Sequence, residues 1–442
     1  MMSARTEADC LLDQGALYKS RVLLRLDHDA PIFAGFKAGA FSLYYGDEPI
    51  FHFDLEGRWQ RAYLDGIHYL KALDTTVRAI DRVREGSNLV LRRRTLGYAE
   101  VSDLDQQIRQ VALDLIDRLS ADRLLRVDPQ GESLRLDSET LRDFLERVVL
   151  WDAATWFAQR ERYLATYPTT PFQPPDGINR VVLQASLGRS RPSTFDRESS
   201  NAYQPRSASE FEKHAKDVLR LWGVRIRQAR AAYLSGSDIL HQPPRDVCAY
   251  LSSIARMFPI NGASEDATGL GSTAGAARLE GVHAFLEDFP ETRPAQEDWK
   301  AYRTLHLKRV YLGLESGDPS IRKGYGKQWA NQTLVEWVRD VKSADIHISL
   351  LLLDDAGGRE HAVPHQEATV ALLKQLDLGP GDVVALLDGS EVLEGHHHLS
   401  NLTAMSHVEH REAQAALRNA LRPFQSERKV KVVPYSLDKQ WM

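Results

Sequence analysis

Cysteine is nearly absent. The 442 residues hold two, Cys10 and Cys248, which excludes a disulfide framework and leaves too few thiolates for the three or four that most iron–sulfur clusters take. Long apolar runs are missing as well, with none near the ~20 residues of a membrane span. There is little excess of either charge. A formal net charge of -5 and a pI near 6.3 give no general pull toward nucleic acid or anionic membrane surfaces. The start, MMSARTEADCLLDQ, lacks the charged and apolar regions of a secretory signal, which predicts a cytoplasmic chain. No internal repeat and no low-complexity tract occurs.

What is present is globular. Hydrophobic content of 43% with 26% charged residues supports a packed core, and 442 residues exceed one ordinary core, so two or three domains are expected. Residues 1–18 carry no pattern and read as a loose terminus. Residues 19–100 read as a small α+β domain: a strand over Ser20–Leu26, two strands within Phe41–Phe53 around Gly46-Asp47, a short helix near Thr75–Arg84, and a strand from Asn88 into Arg92-Arg93-Arg94. Adjacent arginines on a strand face opposite sides, which predicts a solvated edge rather than a phosphate patch.

Residues 101–175 read as a helical connector. Leu104, Ile108, Val111, Leu115 and Leu119 recur at helical spacing, and a second helix spans about Ser138–Tyr167 with Ser138 as N-cap. The pair is expected to pack against the main domain. The Pro-dense stretch Tyr167–Gly177 stops the helix and marks a boundary.

Beyond it the pattern is regular. Apolar runs at Arg180–Leu187, Ala229–Leu234, Gly281–Phe285, Arg309–Leu314, Ile346–Leu353 and Val383–Leu387 alternate with helical stretches. Six such alternations predict an α/β fold, a (β/α)6 partial TIM-like barrel over residues 176–392 with an N-terminal α+β extension. The tail, residues 393–442, should add a helix near His410–Leu421 and a short strand, KVKVVPY, docking back on the barrel. Ligands of such folds bind where the strands end.

The barrel resembles the core of the radical S-adenosylmethionine superfamily, in the branch with Elp3/MiaB-like domains. The resemblance rests on NRVVLQASLG as first strand, Tyr233-Leu-Ser-Gly-Ser-Asp238 after the second and Val310-Tyr-Leu-Gly-Leu-Glu-Ser-Gly-Asp318 after the fourth, over about half the chain. It implies a Cys-x3-Cys-x2-Cys loop whose thiolates hold a 4Fe-4S cluster. Here those positions fall on Arg189, Ser193 and Asp196, none of them a soft ligand, so the cluster is expected to be absent. The resemblance also implies an S-adenosylmethionine contact from Ser235, Gly236, Ser237 and Asp238. Glu315 and Ser316 fall near the ligand's polar part, and Gly357 and Gly358 form a turn against the adenine. Each element has a second reading, since glycines make βα turns and Ser or Asp residues cap helices.

Two further clusters stand out. Arg189, Arg191 and Arg197, beside Ser190, Ser193 and Thr194, suit a phosphate or carboxylate, or else form a plain surface loop. His396, His397 and His398, with His407 and His410, match no zinc spacing, so no metal is expected. Together these features predict a catalytically degenerate member of the fold family, a binding, regulatory or scaffold protein with an active paralogue among its expected partners. The alternatives are an enzyme that uses the barrel mouth, with S-adenosylmethionine and no cluster or with an anionic substrate at the Arg loop, and a cluster enzyme with non-standard ligands.

Overall fold

The computed structural model describes residues 21–25, 31–37, 39–85, 88–121, 125–127, 136–169, 180–188, 203–236, 239–258, 260–261, 279–290, 292–387, 402–403 and 405–435. Within them lie two sheets of opposite character and one short pairing.

The first sheet is antiparallel and nine-stranded, in the order β8-β7-β6-β5-β4-β3-β2-β1-β9. Its strands are β1 (Arg21–Arg25), β2 (Ile32–Lys37), β3 (Ala40–Tyr45), β4 (Ile50–Asp54), β5 (Trp59–Leu64), β6 (Ile67–Lys71), β7 (Val77–Glu85), β8 (Asn88–Thr95) and β9 (Leu125–Val127). The meander is driven by tight turns. Asp65 (φ 52°) and Gly66 (φ 73°) both occupy the left-handed region between β5 and β6, which is what a two-residue turn needs to match strand twist. The helix expected near Thr75–Arg84 is instead the long strand β7. Its Val77, Ala79 and Ile80 pair with β6 and β8, and ladder bonding overrides the local helical pattern. Arg92 to Arg94 do sit on the edge strand, where Arg92 pairs with Asp81 and Arg94 with Glu100.

Helices α1 (Tyr98–Ser120) and α2 (Ser138–Val149) cover one face of this sheet. Phe144 of α2 sits 4.2 Å from the Phe41 ring and 5.1 Å from Phe36. Helices α1 and α2 therefore share the core of the antiparallel sheet, because their apolar stripes meet the aromatic face of β2 to β4. The end of the expected second helix does reach the barrel, with Tyr163 and Tyr167 in its core and the Tyr167 hydroxyl donating to the Val182 carbonyl at 2.6 Å. The single helix expected over Ser138–Tyr167 is two, α2 and α3 (Ala153–Thr166), broken at Leu150–Asp152 where Asp152 caps α3. The N-cap of α2 is Asp137 rather than Ser138: its side chain accepts from the Thr140 N–H.

The second sheet is parallel and seven-stranded, in the order β10-β13-β14-β15-β16-β17-β18. Its strands are β10 (Arg180–Gln184), β13 (Ala231–Ser235), β14 (Val282–Leu286), β15 (Leu307–Glu315), β16 (His347–Leu353), β17 (Val383–Leu387) and β18 (Lys431–Tyr435). Between β10 and β13 lies the antiparallel pair β11 (Ser186–Leu187) and β12 (Gln204–Pro205). Helices α4 (Ala208–Trp222), α5 (Pro244–Met257), α6 (Gln296–Thr304), α7 (Pro319–Gly324), α8 (Asn331–Ser343) and α9 (Ala362–Gln375) alternate with the strands. The expected part-barrel is thus present with one more strand than six, since β18 pairs in parallel with β17. Helices α10 (His407–Ala420) and α11 (Arg422–Ser426) make that connection.

The two bodies meet at α4. Arg58, 4% exposed, pairs with the buried Asp54 at 2.6 Å and donates to the Leu221 and Trp222 carbonyls at 2.8 and 2.5 Å. A guanidinium there satisfies the orphan carbonyls of a helix end and complements its negative pole. Beside it, Glu56 accepts from the Val224 N–H.

Candidate functional site at the strand ends

Glu315 ends β15 fully buried and with φ at 55°, in the left-handed region that costs a non-glycine residue about 1 kcal/mol or more. The surroundings enforce this. Ser316 N–H turns back to the Leu314 carbonyl at 2.6 Å, and the β15–β16 register shifts between Gly313 and Glu315. Ser316 Oγ meets His365 Nδ1 of α9 at 2.8 Å, and Gly317 N–H donates to Thr369 Oγ1 at 2.9 Å. Arg322 donates to the Ser316 carbonyl at 2.8 Å while its guanidinium lies over the Trp329 ring, 4.1 Å from the centroid. Strain held by this many contacts aims a side chain.

The carboxylate so aimed has one oxygen engaged. Lys327 Nζ lies 2.6 Å from Glu315 Oε1 and 3.8 Å from Glu287 Oε1, and it also donates to the Gly313 carbonyl at 2.8 Å. Glu315 Oε2 is buried and receives no hydrogen bond among the described residues. Burial raises the Glu315 carboxyl to about 7; Lys327 opposes that shift and Glu287 reinforces it. A buried acid poised near neutrality can hold or release a proton, and as carboxylate it can take an ammonium.

A second polar point lies at the ends of β10 and β13. Ser186 Oγ is buried with no hydrogen bond among the described residues, next to Gly236 (φ 146°). A Cβ on Gly236 would stand 2.5 Å from that oxygen, so the backbone here comes closer than any other residue permits. Ala185 N–H donates to the Ser235 carbonyl at 2.8 Å, fixing the two strand ends together. Behind them Gln184 N–H donates to His214 Nε2 of α4 at 2.9 Å, and burial pushes the His214 imidazole down to about 3.

The predicted residues distribute as follows. Ser235 and Gly236 come together with Ser186, while Glu315 and Ser316 come together with His365. Gly357 closes on the same His365, its would-be Cβ 3.0 Å from the His365 Cβ, and Gly358 (φ 56°) forms the turn beside Leu402 and Thr403. The hydroxyl of Ser316 is occupied by His365 and the Asp318 N–H, which makes it a strut for the Glu315 turn. Arg189, Arg191, Ser193, Asp196, Arg197, Ser237, Asp238 and His396 to His398 lie outside the described residues, as does the side chain of His407. His410 bonds Asp354 at 2.8 Å, and Gln414 donates to the other Asp354 oxygen at 2.6 Å, so α10 is anchored to the end of β16. Asp355 joins His410 and Asp354 within 4.8 Å.

Sequence reasoning missed Ser186, Glu287, Lys327 and His365. Glu287 was within reach, being the first acid after an apolar run, VHAFLED. Lys327 was not, because it returns to the mouth from the turn after α7 and no spacing announces that. As for an iron–sulfur cluster, the donor set does not fit. The chain has two cysteines, and Cys248 lies on α5, part-buried against the barrel core. S-adenosylmethionine makes different demands. A carboxylate oxygen and a hydroxyl that are unengaged among the described residues, with a glycine cradle, suit its ammonium and polar groups.

Among the described residues no helix is long and apolar enough to cross a membrane. No family model and no curated protein matches the chain. Solved structures are similar to it at low identity. HydG, a maturase of the FeFe-hydrogenase, aligns over 77% of this chain and 72% of its own, at TM-score 0.36 and 11% identity. The cobalamin-dependent S-adenosylmethionine radical enzyme OxsB, with aqua-cobalamin bound, aligns over 43% and 26%, at 0.33 and 15%. The radical S-adenosylmethionine methyltransferase TsrM from Kitasatospora setae aligns over 47% and 35%, at 0.34 and 14%. The chain spans about a quarter of OxsB and a third of TsrM, and the likeness to all three is one of fold.

Proposed function

We propose that the chain is a cluster-free binding protein on a radical S-adenosylmethionine-like barrel, taking S-adenosylmethionine or a similar amine-bearing ligand at the strand ends and serving as a regulatory or scaffold member. The observation that carries this is Glu315: a buried carboxylate held in a strained turn with one oxygen unengaged among the described residues. Its ionised form would receive the ligand's ammonium, Gly236 would let the ligand approach the backbone, and Ser186 would supply a hydroxyl. With two cysteines in 442 residues, reductive cleavage is not part of the proposal. The Arg189, Arg191 and Arg197 loop, which starts just past Gly188, would meet any carboxylate or phosphate on the same ligand.

The test is calorimetry with S-adenosylmethionine, S-adenosylhomocysteine and inorganic phosphate at pH 6 and pH 8. Binding should be stronger at pH 8, where Glu315 is ionised, and Glu315→Gln should abolish that pH dependence. Gly236→Ala should weaken binding roughly tenfold or more, since the methyl crowds Ser186 Oγ and the φ is unfavourable. Silence with every ligand would leave only the scaffold role, and pH-independent binding would overturn the part given to Glu315.

A further inference from the structure

Away from the mouth, α10 and α11 lie against β17 and β18 and leave a groove of about 350 Å³ between them. Its helix wall carries Arg411, Arg418 and Arg422. Arg411 and Arg418, seven residues apart, share one face of α10, and Arg422 opens α11 just past the cap residue Leu421, so all three border the same groove. Arg418 and Arg422 are exposed, and neither side chain makes an ion pair or hydrogen bond among the described residues. No described carboxylate lines the groove; its other polar groups are the amides of Gln414, Asn419 and Gln425. The floor is apolar, made by Leu386 of β17 with Val432, Val433 and Pro434 of β18.

We infer that this groove is a second ligand site, for a nucleoside diphosphate or another pyrophosphate ester with a flat, largely apolar body. Two guanidiniums on either side of the α10–α11 joint, four residues apart in sequence, suit two linked phosphates, each able to take a bidentate pair. The apolar floor accepts a ring system, and the amides of Asn419 and Gln425 can bond its polar edge. The volume is at the lower end for small-molecule sites, which fits a mononucleotide better than a larger ligand. The helix face is held in place independently of any ligand, because His410 and Gln414 tie α10 to Asp354. This inference is independent of the proposal for the strand-end mouth.

Calorimetry with ADP, inorganic pyrophosphate, adenosine and a short single-stranded oligonucleotide, on the whole chain, tests it. ADP should bind most tightly, pyrophosphate more weakly and adenosine least. The double variant Arg418→Ala/Arg422→Ala should lose roughly tenfold or more in ADP affinity, and Arg418→Lys/Arg422→Lys should fall between, because a lysine keeps charge without the bidentate fork. Both changes are on exposed positions, and an unchanged Tm will show that the fold is intact. Unchanged ADP binding in the double variant would put the nucleotide elsewhere and sink the proposal, as would no binding of ADP at millimolar concentration. Pyrophosphate binding as tightly as ADP would overturn the role of the apolar floor. Affinity that climbs with oligonucleotide length would show a polyanion track instead of a nucleotide site.

Discussion

At the scale of single residues, Glu315 carries the most specific chemistry and gives the sharpest prediction. Its folded carboxyl titrates near 7 against 4.5 for the ordinary group, so between those values the folded chain holds a proton that the unfolded chain has released. Stability from this group is fully present below pH 4.5 and is lost as pH rises through 7. In the Glu315→Gln variant that loss cannot occur. Denaturant titrations of variant and native chain from pH 4.5 to 8 should show their stability difference shifting toward the variant, by about 1.4 kcal/mol per unit of pKa difference. A difference that stays flat across the range would mean an unperturbed carboxyl. Glu315 was legible in the sequence as a candidate through the resemblance that Val310–Asp318 carries, which implies a place near the ligand's polar part. Its strain and its partner Lys327 were not, because both follow from how α7 folds back over the mouth.

At the scale of elements, strand and helix assignments succeeded where burial alone decides and failed where turns decide. The runs that became β10, β13, β14, β15, β16 and β17 are buried along almost their whole length and needed only apolar continuity to be seen. In the antiparallel sheet the informative signals were turns: Asp65-Gly66 between β5 and β6, and Ala72–Thr76 ahead of β7, where Thr75 takes a positive φ and the expected helix gives way to a strand. The break between α2 and α3 is likewise announced by Asp152, whose side chain caps the second helix by accepting from the Thr155 N–H. Removing Phe144 tests the assignment of α2 to the sheet. Phe144→Ala takes away a ring that touches Phe36, Phe41 and Phe53 and should cost about 3–5 kcal/mol in chemical denaturation. A cost under 1 kcal/mol would mean the helix is not seated there.

At the scale of the whole molecule, the question is whether the barrel performs redox chemistry. Anaerobic reconstitution with iron and sulfide should leave the chain colourless, with far fewer than the ~4 irons per chain that a 4Fe-4S cluster takes. A brown protein with that stoichiometry would show ligands recruited from outside the familiar loop. The fold class was visible from the period of the pattern, and the last strand was visible as KVKVVPY docking back on the barrel, though not as a seventh member of its parallel sheet beside β17. The sequence also offered no means of seeing which body the helices after residue 97 would join, since an amphipathic stripe names no partner. Arg58→Met addresses the junction between the bodies. It strands the buried Asp54 carboxylate and uncaps α4, so stability should fall by about 3–5 kcal/mol, and Asp54→Asn added to it should restore part of the loss.

Helix α4 gives that junction its wider meaning. Its head is stitched to the site: Arg206 N–H donates to the Ala185 carbonyl at 2.8 Å and its guanidinium to the Gln184 carbonyl at 3.0 Å, just before the Ser207 cap. Its foot, fifteen residues and about 22 Å away, is gripped by Arg58. A rod held at both ends is a strut, so the strand ends of the parallel sheet and the turn after β4 are tied to one helix at a fixed separation.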